Sequence, residues 1–158
     1  MSQLLDKSKP ARKSRWSWYL YDFGNSAYAS VVLLAVYSTY FKNAVVGGAE
    51  GTRLWGISVG VAAILVAILS PILGTIADFT KGKKKFLLIF TALAILFTAL
   101  LFFVREGDLL MGMLFFILAE IGYRAAQVFY DALLTDVSTP ETIGFVSGKG
   151  WAVGMIGG

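Results

Sequence analysis

Polar and apolar residues in this chain are segregated into blocks, not interleaved. Long apolar runs occupy about Tyr19–Phe41, Leu54–Ile76, Phe86–Val104 and Leu109–Leu134, separated by short polar or glycine-bearing segments. Amphipathic surface helices would instead repeat apolar residues at three- and four-residue spacing. A run of about 18 or more apolar residues is long enough to cross the hydrocarbon core as a helix. The pattern predicts an all-α, polytopic membrane protein with four transmembrane helices.

The breaks between runs refine that picture. Residues 1–15 are polar and basic and are expected to form a mobile tail, leaving 16–158 as the transmembrane region. A cleaved leader is the weaker reading of the N-terminus, because Asp22, Gly24 and Asn25 interrupt the would-be apolar core and apolar character continues past Ala29. Asn43–Arg53, with Gly47, Gly48 and Gly51, reads as a flexible loop. Gly56 and Gly60 offer a small-xxx-small face for close helix packing, and Pro71 a bend. Arg105-Glu106-Gly107-Asp108 reads as a tight turn. Ser138 and Glu141 have capping-box spacing with Pro140 in the first turn, so a new helix is expected there. The sequence turns apolar again near Gly144 and stops at Gly158, as if inside a fifth span.

Composition narrows the chemistry. The chain is 57% hydrophobic and 15% charged, with neither cysteine nor histidine. Disulfides, thiol nucleophiles, histidine switches and zinc sites built on those residues are excluded, and no cofactor is expected. Any coupled proton would have to ride on carboxylates. The net charge of +4 does not point to nucleic acid, because the basic residues gather at the ends of the spans. Ten lie on the side of the tail and the Asp78–Lys85 loop and three on the other, which predicts a cytoplasmic N-terminus, in the cell membrane.

The fourth run carries Glu120, Arg124, Gln127 and Asp131. Spacings of four, three and four residues put them on one narrow stripe of a helix turning roughly 100° per residue. Such residues cost roughly 2.5–3.5 kcal/mol each near the bilayer centre on insertion scales, so the stripe has to face protein or water. Glu120 and Arg124 have the spacing of a within-helix ion pair. The pair reads either as a structural device that sets helix rotation or as a protonatable relay beside a cavity. In the first run Asp22, Asn25 and Ser26 share one face, which fits helix anchoring as well as a carboxylate gate. Trp16, Trp18, Tyr19 and Tyr21 read as an interfacial belt.

The loop Gly74-Thr75-Ile76-Ala77-Asp78, followed by Lys81-Gly82-Lys83-Lys84-Lys85, asks for more than the positive-inside rule. It resembles the Gly-x-x-x-Asp…Gly-Arg-Lys signature between helices two and three of the major facilitator superfamily. Gly74, Asp78, Gly82, Lys83 and Lys84 match. One extra residue precedes Gly82, and Phe79 stands where a basic residue is usual. Arg124-Ala125-Ala126-Gln127 resembles that superfamily's Arg-x-x-Gln signature in helix four, with Val128 in place of the usual glycine. Trp18 to Tyr28, and Tyr130 to Gly158, look like the vacuole-effluxer-like branch, which includes autophagy-related vacuolar amino-acid effluxers.

The resemblance implies a twelve-helix fold of two six-helix halves, this chain supplying four helices of the N-terminal half and the start of a fifth. The missing C-terminal part would be its partner. The implied function is secondary-active transport of a small solute, amino acids on family likeness, by alternating access in a lipid bilayer, with Arg124 in proton coupling. Asp22 and Asn25 would line the cytoplasmic approach, Glu120, Arg124 and Gln127 the central cavity, with Asp131 at its cytoplasmic end. Gly74, Asp78, Gly82, Lys83, Lys84 and Lys85 would form a conformational latch between the halves. The alternative is a small four-span channel or membrane scaffold, complete as given. A lipid-directed enzyme lacks a nucleophile or metal constellation, and no enzymatic activity is expected.

Overall fold

The computed structural model describes residues 12–79 and 82–158; Lys7 and Lys9 of the basic tail, and Lys81 of the lysine loop, lie outside the described residues. Every regular element among the described residues is helical. A first rod runs from Arg12 to Val45, but it is not one α-helix. Helix α1 (Arg12–Tyr28) passes into π turns at Ala29–Ala35, α2 (Val36–Tyr40) follows, and a second π segment, Phe41–Val45, closes the rod. Such i→i+5 turns are rare and occur mostly as short insertions within α-helices.

The reversal into α3 (Gly48–Phe79) needs only Val46 and Gly47. Gly47 and Gly48 take φ of 84° and 61°, left-handed values that glycine adopts without a Cβ clash. The segment Asn43–Arg53, expected as a flexible loop, is therefore mostly helix. Its polar residues suit the bilayer edge, and the helical ladder is interrupted only at Val46 and Gly47.

Helix α4 (Lys83–Leu100) ends in a 3₁₀ turn at Leu101–Phe103. The turn into α5 (Leu109–Ala132) uses Gly107 at φ 86°, and the Gly107 N–H donates to Val45 O at 3.0 Å, tying this turn to the end of the first rod. A short α6 (Leu134–Val137) and α7 (Ile143–Gly157) follow. Three stretches, Gly48–Phe79, Lys83–Phe103 and Leu109–Val137, are long and apolar enough to cross a membrane.

The helix α5 sits at the centre of the bundle. It packs along α3 and α4, while the first rod lies against α3 near one end and α7 near the other. A Cβ on Gly122 would lie 2.7 Å from Ala94 N and 3.0 Å from Phe90 O, so α4 and α5 meet backbone to backbone there. Gly56 and Gly60, expected to serve such packing, instead face open space, with nothing within 4 Å of an added Cβ among the described residues. Gly-xxx-Gly spacing makes a smooth face; it does not say which neighbour occupies it.

Two buried hydrogen bonds pin the first rod to α5. Trp18 Nε1 donates to Tyr130 O at 3.0 Å and its ring stacks on Tyr130 at 4.4 Å. Toward the other end, Tyr37 Oη donates to Gly112 O at 3.0 Å. Trp18 and Tyr19 are each 7% exposed and belong to the core, not to the expected interfacial belt, whereas Trp16 is half exposed. The ring N–H of Trp18 is satisfied inside the protein, which removes its reason to seek the headgroups.

The expected capping box at Ser138 and Glu141 does not form. Ser138 Oγ donates back to Leu134 O at 2.6 Å, α7 begins at Ile143, and Thr142 Oγ1 accepts from the Thr139 N–H at 2.9 Å.

Candidate functional site

The ladder of α5 carries Glu120, Arg124, Gln127 and Asp131 in the expected order, and the structure splits them into two linked pairs. Arg124 Nε donates to Glu120 Oε1 at 2.7 Å. The Glu120 side chain is 2% exposed against 47% for Arg124, so the pair runs from the core outward. Glu120 Oε2 is buried without a hydrogen-bond partner among the described residues, as is Tyr28 Oη. Tyr28 stacks on Tyr123 at 4.6 Å, placing an aromatic pair one turn from Glu120.

One turn further on, Gln127 is the junction between helices. Its Oε1 accepts from Asn25 Nδ2 at 2.8 Å, and its Nε2 donates to Asp131 Oδ1 at a long 3.4 Å. Asn25 lies on the same face of α1 as Asp22 and Ser26, and all three point into the space between α1, α5 and α7. That space consists of two adjoining chambers, of about 430 and about 480 Å³, sharing Asp22, Gln127 and Trp151. The first adds Asn25, Ser26, Ser30 and Tyr123; the second adds Tyr130, Asp131 and Ser147.

The cleft thus gathers Asp22, Asn25, Gln127 and Asp131 of the expected pathway. Glu120 and Arg124 do not line either chamber and form a separate polar layer beyond Gln127. Trp151, Tyr123, Tyr130 and Ser147 belong to the cleft and were not among the residues expected from the sequence. The signal for the α7 residues was present in its glycines. Gly150 packs on the Trp18 ring, Gly154 on the Asp22 carboxylate and Gly157 on the Phe23 backbone, a face on which any Cβ would collide with α1. That close approach turns Trp151 toward the cleft.

The loop expected as a latch is distributed differently. Lys83 Nζ reaches both Asp136 Oδ1 and Ala132 O at 3.1 Å, so it holds the end of α5 and the start of α6. A cation at carbonyls that close a helix is favoured by the helix dipole. Asp136 is a partner that the sequence reading missed. Asp78, Lys84 and Lys85 are exposed, and among the described residues Asp78 makes no ion pair and an added Cβ on Gly74 meets nothing within 4 Å.

Comparison with known proteins adds the family. Residues 54–142 match the family described as vacuole effluxer Atg22 like. The chain is 40% identical over 149 residues to the uncharacterized MFS-type transporter YxiO of Bacillus subtilis (strain 168), covering 92% of this chain and 35% of that protein. It is 31% identical over 141 residues to an uncharacterized protein of Aquifex aeolicus (strain VF5), covering 87% and 34%. The chain spans about a third of the length of these relatives. No solved structure matches it. With three helices able to cross a bilayer, the chain is multi-pass membrane protein.

Proposed function

Because the chain belongs to the vacuole effluxer Atg22-like family, we propose that it forms part of the helical bundle of a secondary-active transporter and that the cleft between α1, α5 and α7 is a stretch of its solute pathway. The observation that carries this reading is the placement of Asp22, Asn25, Gln127 and Asp131 around one cleft in a bundle with a largely apolar outer surface. Water-lined or solute-lined cavities are where membrane proteins keep such groups. Transport would proceed by alternating access, with the rest of the protein closing the cleft from the other side. The N-terminus would face the cytoplasm of a cell-membrane protein, on the distribution of lysine and arginine.

The Glu120–Arg124 layer would supply the coupling step. Proton binding to Glu120 would weaken its hold on Arg124, and the freed guanidinium would then compete for groups nearer the cleft. The buried, unpartnered Glu120 Oε2 and Tyr28 Oη support a site whose hydrogen bonding changes during the cycle. The contact of Lys83 with Asp136 and Ala132 O would set the angle of α4 against the end of α5, a role within this half and distinct from a latch between the halves.

The test is flux through the full-length protein in proteoliposomes, with and without a pH gradient. Glu120→Gln is expected to abolish gradient-driven accumulation while counterflow exchange persists. Unchanged gradient-driven flux in both Glu120→Gln and Arg124→Ala would remove the coupling role. Passive, non-saturating flux through the native protein would favour a channel.

A further inference from the structure

Arg124 satisfies only one oxygen of Glu120. Its Nε donates to Oε1 at 2.7 Å, while Oε2 is buried and has no hydrogen-bond partner among the described residues. Tyr28 of the first rod brings its hydroxyl within reach of the same carboxyl group. Tyr28 Oη is likewise buried without a partner among the described residues. Two orphaned atoms are thus neighbours across the contact of α1 with α5, close but not aligned. Both are sealed by residues that the structure describes, so no segment elsewhere in the chain reaches them unless the bundle opens. Leaving both unpaired is costly, and a small turn of the Tyr28 ring or of the carboxyl plane would remove both costs together.

The chemistry of the neighbours decides what that contact does. The titratable groups about Glu120 are Tyr28, Tyr123 and Arg124. Residues 54–77 of α3 and 86–100 of α4 carry no ionisable side chain, Lys149 of α7 lies over the Phe145 ring, and Asp22 of the first rod lines the cleft instead. A guanidinium has donors only, so Arg124 can serve the charged carboxylate but cannot accept from the neutral acid. A phenol hydroxyl does both.

We propose that Tyr28 is the positioning residue of Glu120: its hydroxyl donates to Oε2 of the charged carboxylate and accepts from the acid O–H once Glu120 holds a proton. The proposal rests on the coupling role given to Glu120 above, and deepens it. Tyr28 also stacks on Tyr123, which lines the first chamber, and it follows by three residues Asn25, which donates to Gln127. A change in its hydrogen bond therefore reaches the wall of the cleft. The π turns that begin directly after Tyr28 give the rod a place to absorb the movement.

Infrared difference spectra of the purified full-length protein, taken between acid and alkaline buffer, test the proposal without need of a solute. The carbonyl band that Glu120→Gln removes belongs to the protonated Glu120. In Tyr28→Phe that band is expected to move to higher frequency, as it does for an acid that has lost its hydrogen-bond acceptor. The substitution keeps the ring and its stack, so a role in packing alone would leave the band in place. Tyr40→Phe removes a hydroxyl bonded to Val104 O at the other end of the rod, and the band is expected to stay where it is. An unmoved band in Tyr28→Phe, or an equal movement in both variants, overturns the proposal and leaves the coupling role of Glu120 intact. If no band depends on Glu120, that coupling role fails and the role of Tyr28 fails with it.

Discussion

Gly122→Ala tests the central packing claim. An added Cβ would stand 2.7 Å from Ala94 N and 3.1 Å from Ala94 Cα, whereas ordinary contact begins at 3.4 Å. The obstacles are backbone atoms, which no rotamer change can move aside. At that crossing α4 would have to retreat by about 0.7 Å, and a gap of that size forfeits a quarter to a half of each van der Waals well along the seam. Overpacking of this kind costs about 1–3 kcal/mol, offset by about 1 kcal/mol because alanine is the better helix former. The net expectation is a loss of up to about 2 kcal/mol, and Gly122→Val should lose more. Gly56→Ala is the matched control: its Cβ meets nothing within 4 Å among the described residues, so the helix-propensity gain of up to about 1 kcal/mol should stand alone. Titrating each purified variant with sodium dodecyl sulfate in mixed micelles, and following tryptophan emission, gives the unfolding midpoints. If Gly122→Ala unfolds at or above the parent midpoint, or moves together with Gly56→Ala, the close crossing of α4 and α5 is wrong.

Two further outcomes follow from the ion pairs. Arg124→Leu strands a glutamate that is 2% exposed and should destabilise by up to about 3–5 kcal/mol, while the double variant Arg124→Leu/Glu120→Leu recovers most of it, as read by the same titration. A double-mutant cycle on Lys83 and Asp136 should give a coupling below about 1 kcal/mol that fades with added salt, because the Asp136 side chain is 49% exposed; a larger, salt-insensitive coupling would contradict that geometry.

The helical character of the chain and the polar stripe of α5 were legible because both depend on periodicity along a single segment. Membership of the cleft was only half legible. Asp22, Asn25, Gln127 and Asp131 stand out as polar residues in apolar runs, whereas Trp151, Tyr123 and Tyr130 are indistinguishable from packing aromatics until α7 is placed against α1. The misplaced roles share a cause. Gly56 and Gly60 were read as a face for close packing, whose neighbour only tertiary structure can name, and Trp18 was assigned to the interface although a carbonyl inside the bundle satisfies its N–H. Ser138 had two ways to satisfy its hydroxyl, and bonding back to Leu134 O won over capping because α6 is already in place behind it. Helix ends were blurred because hydropathy marks the part of a helix that suits lipid, while Gly47 and Gly48 determine where the chain turns.

The π turns at Ala29–Ala35 lie between the two buried bonds that pin the first rod to α5. From Trp18 to Tyr37 the rod advances nineteen residues, while α5 covers the return from Tyr130 to Gly112 in eighteen. An i→i+5 turn takes up one residue more than an α turn, so the surplus is stored where no side chain has to leave its anchor. The rod therefore has a designated site for length variation. Deleting one residue within Ala29–Ala35 would convert that stretch to plain α-helix with both anchors still in register. The same deletion between Trp18 and Asn25 would rotate Asp22 or Asn25 out of the cleft by about 100°.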